Sequence, residues 1–337
     1  MDRTRRPKLA DVAALAGVSV ATASRAISRP ELVNPQTLEA VEAAAREVGY
    51  LHGGAARALA SGRTMLVGAV FPTLDHAIFA RAIHGLQARL RSASYQLVVA
   101  AHEYVPAAEA AAVRTMLAHG VDALVVVGAD RLEETSALLR ATSVPVVVAW
   151  SFDQELPSIG FDNEAAGALV ADHLADLGHT RFGVISGALR ANDRARLRLA
   201  GAKAALARRG LSLPSSRVIE QPFTLAGGRA GLRHLLSAFE PATAIICGND
   251  LLASGAMLEA LSSGMRVPAD ISIAGIDDLE IASHLAPALT TVHLPTEELG
   301  EEVAGALLSM LRGGSGPSRV ELPIELVVRA STGRPDR

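Results

Sequence analysis

Cysteine, aromatic residues and long apolar runs are all scarce in this chain. One cysteine, Cys247, stands among 337 residues. No intrachain disulfide can form, and no cysteine-based metal cluster can assemble. Aromatic residues make up 3% of the sequence, so aliphatic side chains must build the cores. No apolar run reaches the length of about 18 residues that a membrane-spanning helix needs. The opening stretch, MDRTRRPKLADVA, is charged and never becomes apolar, so no secretory signal is expected. His102-Glu103 lacks a second histidine four residues on, and no phosphate loop of the form GxxxxGK(S/T) occurs. The glycines of GGRAG at 227–231 do not follow directly from a strand pattern. These absences point to a soluble cytoplasmic protein with no metal and no cofactor, and away from an enzyme.

What is present is unevenly distributed. Residues 1–63 hold nine Arg/Lys against six Asp/Glu, while the remainder holds 23 against 29. A basic head on an acidic body suits a head that meets a polyanion. Half of the residues are hydrophobic, enough for sizeable cores, and the length exceeds what one ordinary core serves.

The head reads as helical. Leu9 to Ala16 places Leu9, Val12, Ala13 and Ala16 on one face, and Gly17 breaks it. Ser19 is a good cap for a second helix from Val20 to about Ile27. SRPELVNPQ reads as a loop. Asn34-Pro35 then opens a third helix over Gln36–Val48, with Leu38, Val41, Ala45 and Val48 inward. The Gly- and Ala-rich text after Tyr50 reads as a linker with a short helix at Ala55–Ala60. From Met65 the pattern changes to apolar runs, such as MLVGAVF, ALVVVGA, PVVVAW, RFGVISG and TAIICGN, separated by amphipathic helices. That alternation predicts parallel sheets covered on both faces, and the number of units predicts two doubly wound lobes. TTVHLP and VELPIELVVRAS read as late strands that cross between lobes. Ligands of such sheets sit beyond the carboxyl ends of the strands, which singles out Asp75–Phe79, Trp150, Asn192–Arg198, Asn249-Asp250 and Asp277-Asp278.

The stretch GVSVATASRAIS, from Gly17 to Ser28, has the spacing of a helix-turn-helix, whose second helix presents its first residues to the major groove. Val20 and Ala21 suit a thymine methyl, and Arg25 can fork to guanine. Ser19, Thr22, Ser24 and the arginines of the N-terminal arm suit phosphates. A plain three-helix bundle is the bland alternative.

LADVAALAGVSVATASRAI, VNPQTLEAVEAAAREVGY and ARALASG resemble the DNA-binding head of the LacI/GalR family of bacterial repressors. IGFDNEAAGALVADHLADLGHTRFGVISG, ARLRLAG, CGNDLLASGAMLEAL, VPADISIAGIDD and PALTTVHLPTEELG continue the resemblance in order through nearly the whole chain. The resemblance implies an all-α helix-turn-helix head (residues 1–52), a hinge helix and linker (53–63), and an α/β core (64–337). The core would be two doubly wound parallel-sheet lobes like those of periplasmic sugar-binding proteins. The N-lobe would take about 64–160 and 295–320, and the C-lobe about 161–292 and 321–333.

Val20, Ala21 and Arg25 fall on the family's base-reading positions. Leu59 falls on the hinge leucine that wedges into the minor groove, with Arg57 beside it as a further DNA contact. Such wedging unstacks a base step at a cost of a few kcal/mol. Where the family has Pro then Asn after the tyrosine, this chain has His52 and Gly53, followed by Gly54. Each interior glycine disfavours helix by roughly 1 kcal/mol against alanine.

The resemblance also maps effector contacts onto Arg198, Asn249 and Asp277. Arg198 suits paired hydroxyls or a carboxylate; Asn249 brings a donor and an acceptor, and Asp277 accepts hydroxyls. Phe79 lies in HAIF where the family often has NPFF. Trp150 either meets a sugar's C–H face or packs between lobes. Asp162-Asn163 contacts the ligand or caps the next helix. The implied protein is a homodimeric transcriptional regulator, a repressor, that binds a pseudo-palindromic double-stranded DNA operator and a small polar effector, a sugar or sugar acid. The end VVRASTGRPDR carries no leucine heptads, so a dimer is expected rather than a tetramer. The rival readings are an exported sugar-binding protein, and an α/β enzyme for which only Asp277-Asp278 speaks.

Overall fold

The computed structural model describes residues 7–50, 62–238 and 240–335. Arg57, Leu59 and the run His52-Gly53-Gly54 lie outside the described residues. The chain divides into two units, residues 1–66 and 67–337.

In the first unit, helix α1 (Leu9–Leu15) begins where the Asp11 carboxylate accepts the Lys8 amide at 2.7 Å. Gly17, at φ +66°, turns the chain. Ser19 Oγ accepts the Thr22 amide at 3.0 Å and starts α2 (Val20–Ser28). The two helices meet at 105°, within the range of a helix-turn-helix. Asn34 accepts the Gln36 amide ahead of α3 (Pro35–Val48), and Gly49 ends it at φ +69°. Val12, Ala13, Ala23, Ala26, Val41 and Ala44 are buried, with Leu9, Ala16, Leu38, Ala45 and Val48 packed around them. Alanine at the crossings lets three short helices close on a very small core.

The second unit holds two parallel sheets. The first comprises β1 (Leu66–Phe71), β2 (Gln96–Ala101), β3 (Ala123–Val127), β4 (Val146–Trp150), β5 (Ser158–Gly160) and β11 (Arg319–Glu321), in the order β11-β5-β4-β3-β1-β2. The second runs β7-β6-β8-β9, from β6 (Phe182–Ser186), β7 (Val218–Glu220), β8 (Ala244–Cys247) and β9 (Ser272–Ala274). β3, β4, β6 and β8 are buried along their length, as continuous apolar runs in a doubly wound sheet must be. β10 (Thr291–His293) and β12 (Glu325–Val327) form a separate antiparallel pair.

Two details depart from the sequence expectation. Β5 is a three-residue strand inside the polar text DQELPSIGFDN, too short to announce itself. VELPIELVVRAS divides at Leu322-Pro323: β11 joins the first sheet beside β5, and β12 pairs with β10. Cys247 is buried in β8, as a small apolar residue would be.

The helices that bear on the cleft are α4 (Ala77–Ser92), α7 (Asn163–Asp176), α8 (Asp193–Arg208) and α10 (Asp250–Ser262). Helices α5 (Pro106–Ala118), α6 (Glu133–Ala141), α9 (Leu225–Leu236), α11 (Glu280–His284) and α12 (Thr296–Leu311) complete the layers. α7 and α8 cross backbone to backbone. A Cβ on Gly167 would lie 1.8 Å from the Arg198 carbonyl oxygen, and one on Gly201 1.9 Å from that of Glu164. Those glycines set the separation that brings the Arg198 side chain to the start of α7. Gly201→Ala must therefore push the helices apart, and a loss of roughly 1–3 kcal/mol or more is expected in denaturant unfolding. A change under about 0.5 kcal/mol would show that the crossing yields easily.

Candidate functional site

Two surfaces carry the residues singled out by sequence. The first is the outer face of α2. Ala23 and Ala26 are buried in the head core, while Ser19, Val20, Ala21, Ser24 and Arg25 are exposed. Val20 is 50% exposed, an apolar residue left in solvent at the helix start. Thr22 is half-buried, and its hydroxyl meets that of Ser19 at 2.9 Å.

The second is a cleft between the carboxyl ends of the two sheets. Arg198 lies at its floor. Its Nε donates to Asn163 Oδ1 at 3.0 Å, and one terminal nitrogen donates to the Gly248 carbonyl at 2.8 Å and to Asp277 Oδ1 at 3.3 Å. Asn163 in turn donates to the Trp150 carbonyl at 3.0 Å. One guanidinium thus ties α8, the start of α7, and the loops after β8 and β9. Asn249 Oδ1 accepts the Leu252 amide at 2.9 Å and caps α10. The cap fixes which way the amide faces: Oδ1 keeps one further lone pair, and both N–H groups point away from the helix end. Asp162 caps α7 through the Ala165 amide, and Asn163 rather than Asp162 faces Arg198.

Phe79 and Trp150 are buried at 4% and 2% exposure. With Phe71 they form an edge-to-face cluster, centroids 5.1–5.8 Å apart. Trp150 both packs against these rings and lines the inner cavity with Phe79, Arg198, Asn249 and Asp277. The structure therefore brings together all five effector residues expected from sequence. His76 and Ile78 join them. Tyr104, Phe223 and Arg194 line the same cavity and were not singled out individually.

A backbone signal marks the same loops. Among the described residues, eight other than glycine have positive φ, and six of them — Glu103, Tyr104, Trp150, Ala191, Asp277 and Asp278 — lie at or beyond the carboxyl ends of strands. Such strain persists only where surrounding contacts enforce it. Asp278, for example, holds Arg329 at 2.7 Å and His293 at 3.0 Å, and its carbonyl accepts from Arg81.

The electrostatics follow from burial. Removal from water raises the Asp277 carboxyl above its ordinary range, and the Arg198 guanidinium only partly offsets this. Asp250, buried beneath it and bonded to Thr291 and the Leu279 amide, is also raised. Burial, with Arg194 and Arg131 nearby, lowers His102 to about 4. Burial pushes Asp193 up, but Arg194 and the Ala129 amide outweigh it and hold the carboxylate ionised. The hydrogen bond that the Ala129 amide donates to Asp193 Oδ2, at 2.7 Å, and the pairing of Arg196 with Asp130 tie α8 to the loop after β3.

Residues 8–52 match the family described as bacterial regulatory proteins, lacI family, and residues 171–332 match a periplasmic binding protein-like domain. The HTH-type transcriptional regulator GntR of Pseudomonas aeruginosa is 32% identical over 333 residues, covering 98% of this chain and 96% of that protein. The chain belongs to the lacI family of bacterial regulators. The regulator is also 32% identical to the ribose operon repressor of Escherichia coli, over 88% of this chain and 91% of that protein. Among solved structures, the lac repressor dimer bound to operator and the anti-inducer ONPF superposes with a TM-score of 0.85 at 31% identity, covering 98% of this chain and all of that one. The regulator is a DNA-binding transcription factor with a helix-turn-helix head and a periplasmic-binding-protein-like core.

The raised Asp277 carboxyl has a consequence for stability. Its folded value lies above its unfolded one, so the ionised form costs stability once pH rises above the ordinary carboxylate range. In the regulator without added ligand, Asp277→Asn removes that cost. Its melting temperature relative to the parent is expected to climb between about pH 4 and pH 8. A relative melting temperature that falls with pH would mean that the Arg198 pairing outweighs burial.

Proposed function

We propose that the regulator is a homodimeric repressor acting in the cytoplasm on a pseudo-palindromic operator, and that a small polar metabolite, a sugar or sugar acid, controls it. The observation that carries this reading is the convergence on Arg198. Residues distant in sequence meet around one guanidinium, on the floor of a cleft that opens outward to a pocket of about 840 Å³. That volume is ample for a small carbohydrate.

In this reading Arg198, Asn249 and Asp277 hold the polar groups of the effector, and Phe79 and Trp150 form the apolar wall. In the same reading residues of about 64–160 and 295–320 make up one lobe and about 161–292 and 321–333 the other, a division that the two separate parallel sheets support. Val20 and Ala21 meet thymine methyls, and Arg25 forks to a guanine. Ser19, Thr22 and Ser24 hold phosphates, with Arg57 and Leu59 engaging DNA from the hinge. Two heads place the half-sites about one helical turn apart. The effector acts by binding two lobe arrangements with different affinity, since equal affinity would shift nothing.

The test is in-vitro selection of DNA by the full-length protein at fixed physiological salt. A palindrome is expected. Recovery of no consensus, with and without a metabolite pool, would contradict the reading. On the selected site, Arg25→Ala is expected to cost about 1–3 kcal/mol and relax one base position. An equal loss on every sequence would make Arg25 a phosphate contact. Affinity should fall steeply with salt as phosphate contacts release counterions.

A further inference from the structure

Asn163 is buried, at 2% exposure, and is not among the residues that line the inner cavity with Arg198. Nor does it cap α7, because Asp162 is the cap. Its amide is nevertheless engaged at both ends. Oδ1 accepts from Arg198 Nε at 3.0 Å, and Nδ2 donates to the Trp150 carbonyl at 3.0 Å and to the Phe161 carbonyl at 3.3 Å. A carbonyl oxygen can only accept and the arginine Nε can only donate, so chemistry fixes which way this amide faces.

The bond to Trp150 falls on a strained group. Trp150 ends β4 at φ +68°, a conformation that a bulky side chain disfavours. Two neighbours maintain it. Gly160 on β5 stands opposite Trp150 in the sheet and supplies the room. A Cβ there would lie 2.7 Å from the Trp150 carbonyl carbon and 2.9 Å from the Ser151 nitrogen. Asn163 supplies a hydrogen bond to the oxygen of that same carbonyl. A strained backbone persists only where its surroundings enforce it, so without Asn163 the Trp150 peptide has an easier arrangement to adopt. The Trp150 ring packs edge-to-face on Phe71 and Phe79, with centroids 5.8 and 5.1 Å away. Phe79 lies in the first turn of α4. A turn of the Trp150 backbone therefore moves a ring wedged against the start of a helix.

Asn163 also stands at a junction. Trp150 belongs to the first sheet, whereas Arg198, Gly248 and Asp277 lie on α8 and on loops of the second. Asn163 begins α7, where the chain passes from the one to the other, and bonds to both sides. Coupling between distant sites calls for an element with two arrangements that both sites bias. The left-handed Trp150 peptide is such an element.

We propose that Asn163 is a positioning residue that makes Trp150 follow Arg198. An effector that bonds to the guanidinium and draws it away from Asn163 changes the hold on the Trp150 carbonyl, and the ring then shifts against Phe79 and α4. The inference rests on the reading of the cleft as the effector site. It gives Asn163 a part that neither ligand contact nor helix cap describes.

Trp150 is the chain's single tryptophan, so tryptophan labelled with ¹³C at the carbonyl, with ¹⁵N-serine, selects the Trp150-Ser151 peptide alone in a nuclear magnetic resonance spectrum of the full-length protein. Asn163→Asp keeps an acceptor for Arg198 Nε and, ionised, has no donor for the two carbonyls. Arg198→Lys, which loses the Nε donor, is expected to shift the Trp150 carbonyl resonance. On top of Asn163→Asp the same replacement should move it no more than about a third as far, whereas a purely structural Asn163 leaves the two effects additive. Operator affinity is then titrated with a small-molecule extract of cells. The dose at half response reads binding, and the plateau reads coupling. In Asn163→Asp the plateau change in operator affinity should shrink about threefold or more against the parent. Asn163→Ala repeats both measurements, so the test stands if the aspartate variant does not fold. Additive carbonyl shifts overturn the inference. So does a full plateau reached only at a higher dose, which would make Asn163 an aid to binding alone. Both of these leave the effector reading in place. No response of the parent at any dose overturns the effector reading, and the inference with it.

Discussion

The Arg198 guanidinium is the contact on which the rest of the core depends. Its side chain is only 11% exposed, and a cation so far withdrawn from water must find partners. It finds them on three separately folded pieces: Asn163 at the start of α7, the Gly248 carbonyl after β8, and Asp277 after β9. The planar fork of arginine can do this in fixed geometry, which a lysine cannot. The glycines at the α7–α8 crossing exist, in physical terms, to let that fork reach. Asp277 is held in an unfavourable backbone conformation and an unfavourable ionisation state so that it can face the same guanidinium. Backbone strain and weakened carboxyl acidity therefore meet at the cleft, while the flanking sheets are conventional aliphatic parallel sheets.

Much of this was legible in the residues. The head is written in caps and breakers: Ser19, Asn34, Gly17 and Gly49 each act where their chemistry says they should. The sheets are written in Val/Ile/Leu runs that only a twice-covered parallel strand tolerates. The strand-end rule of a doubly wound sheet points to the stretches that hold Arg198, Asn249, Asp277, Phe79 and Trp150, and the family resemblance singles out Arg198, Asn249 and Asp277 within them. Tyr104 and Phe223 were not individually found, because each sits on a loop whose path depends on tertiary contacts. Tyr104 follows β2 in a left-handed conformation with no glycine to signal it. The strand β5 escaped notice because three residues are too few to carry a period.

The polarity of the cleft was also beyond the sequence. Asn249 read from text has a donor and an acceptor. Only the fold spends its oxygen on the α10 amide, and the same happens to Asn192 on α8. Two helix caps thereby fix the orientation of two amides at the cavity wall. The site's chemistry is thus set partly by the need to satisfy helix ends, a local rule with a consequence for recognition.

We propose that one chain reads DNA with α2 and senses a metabolite through Arg198. The most direct test compares the parent with Arg198→Lys, which keeps the charge and loses the fork. Operator affinity is measured for both, with and without a small-molecule extract of cells. Whatever the variant's affinity without extract, only the parent should change its affinity when extract is added. An equal response from both proteins would contradict the claim.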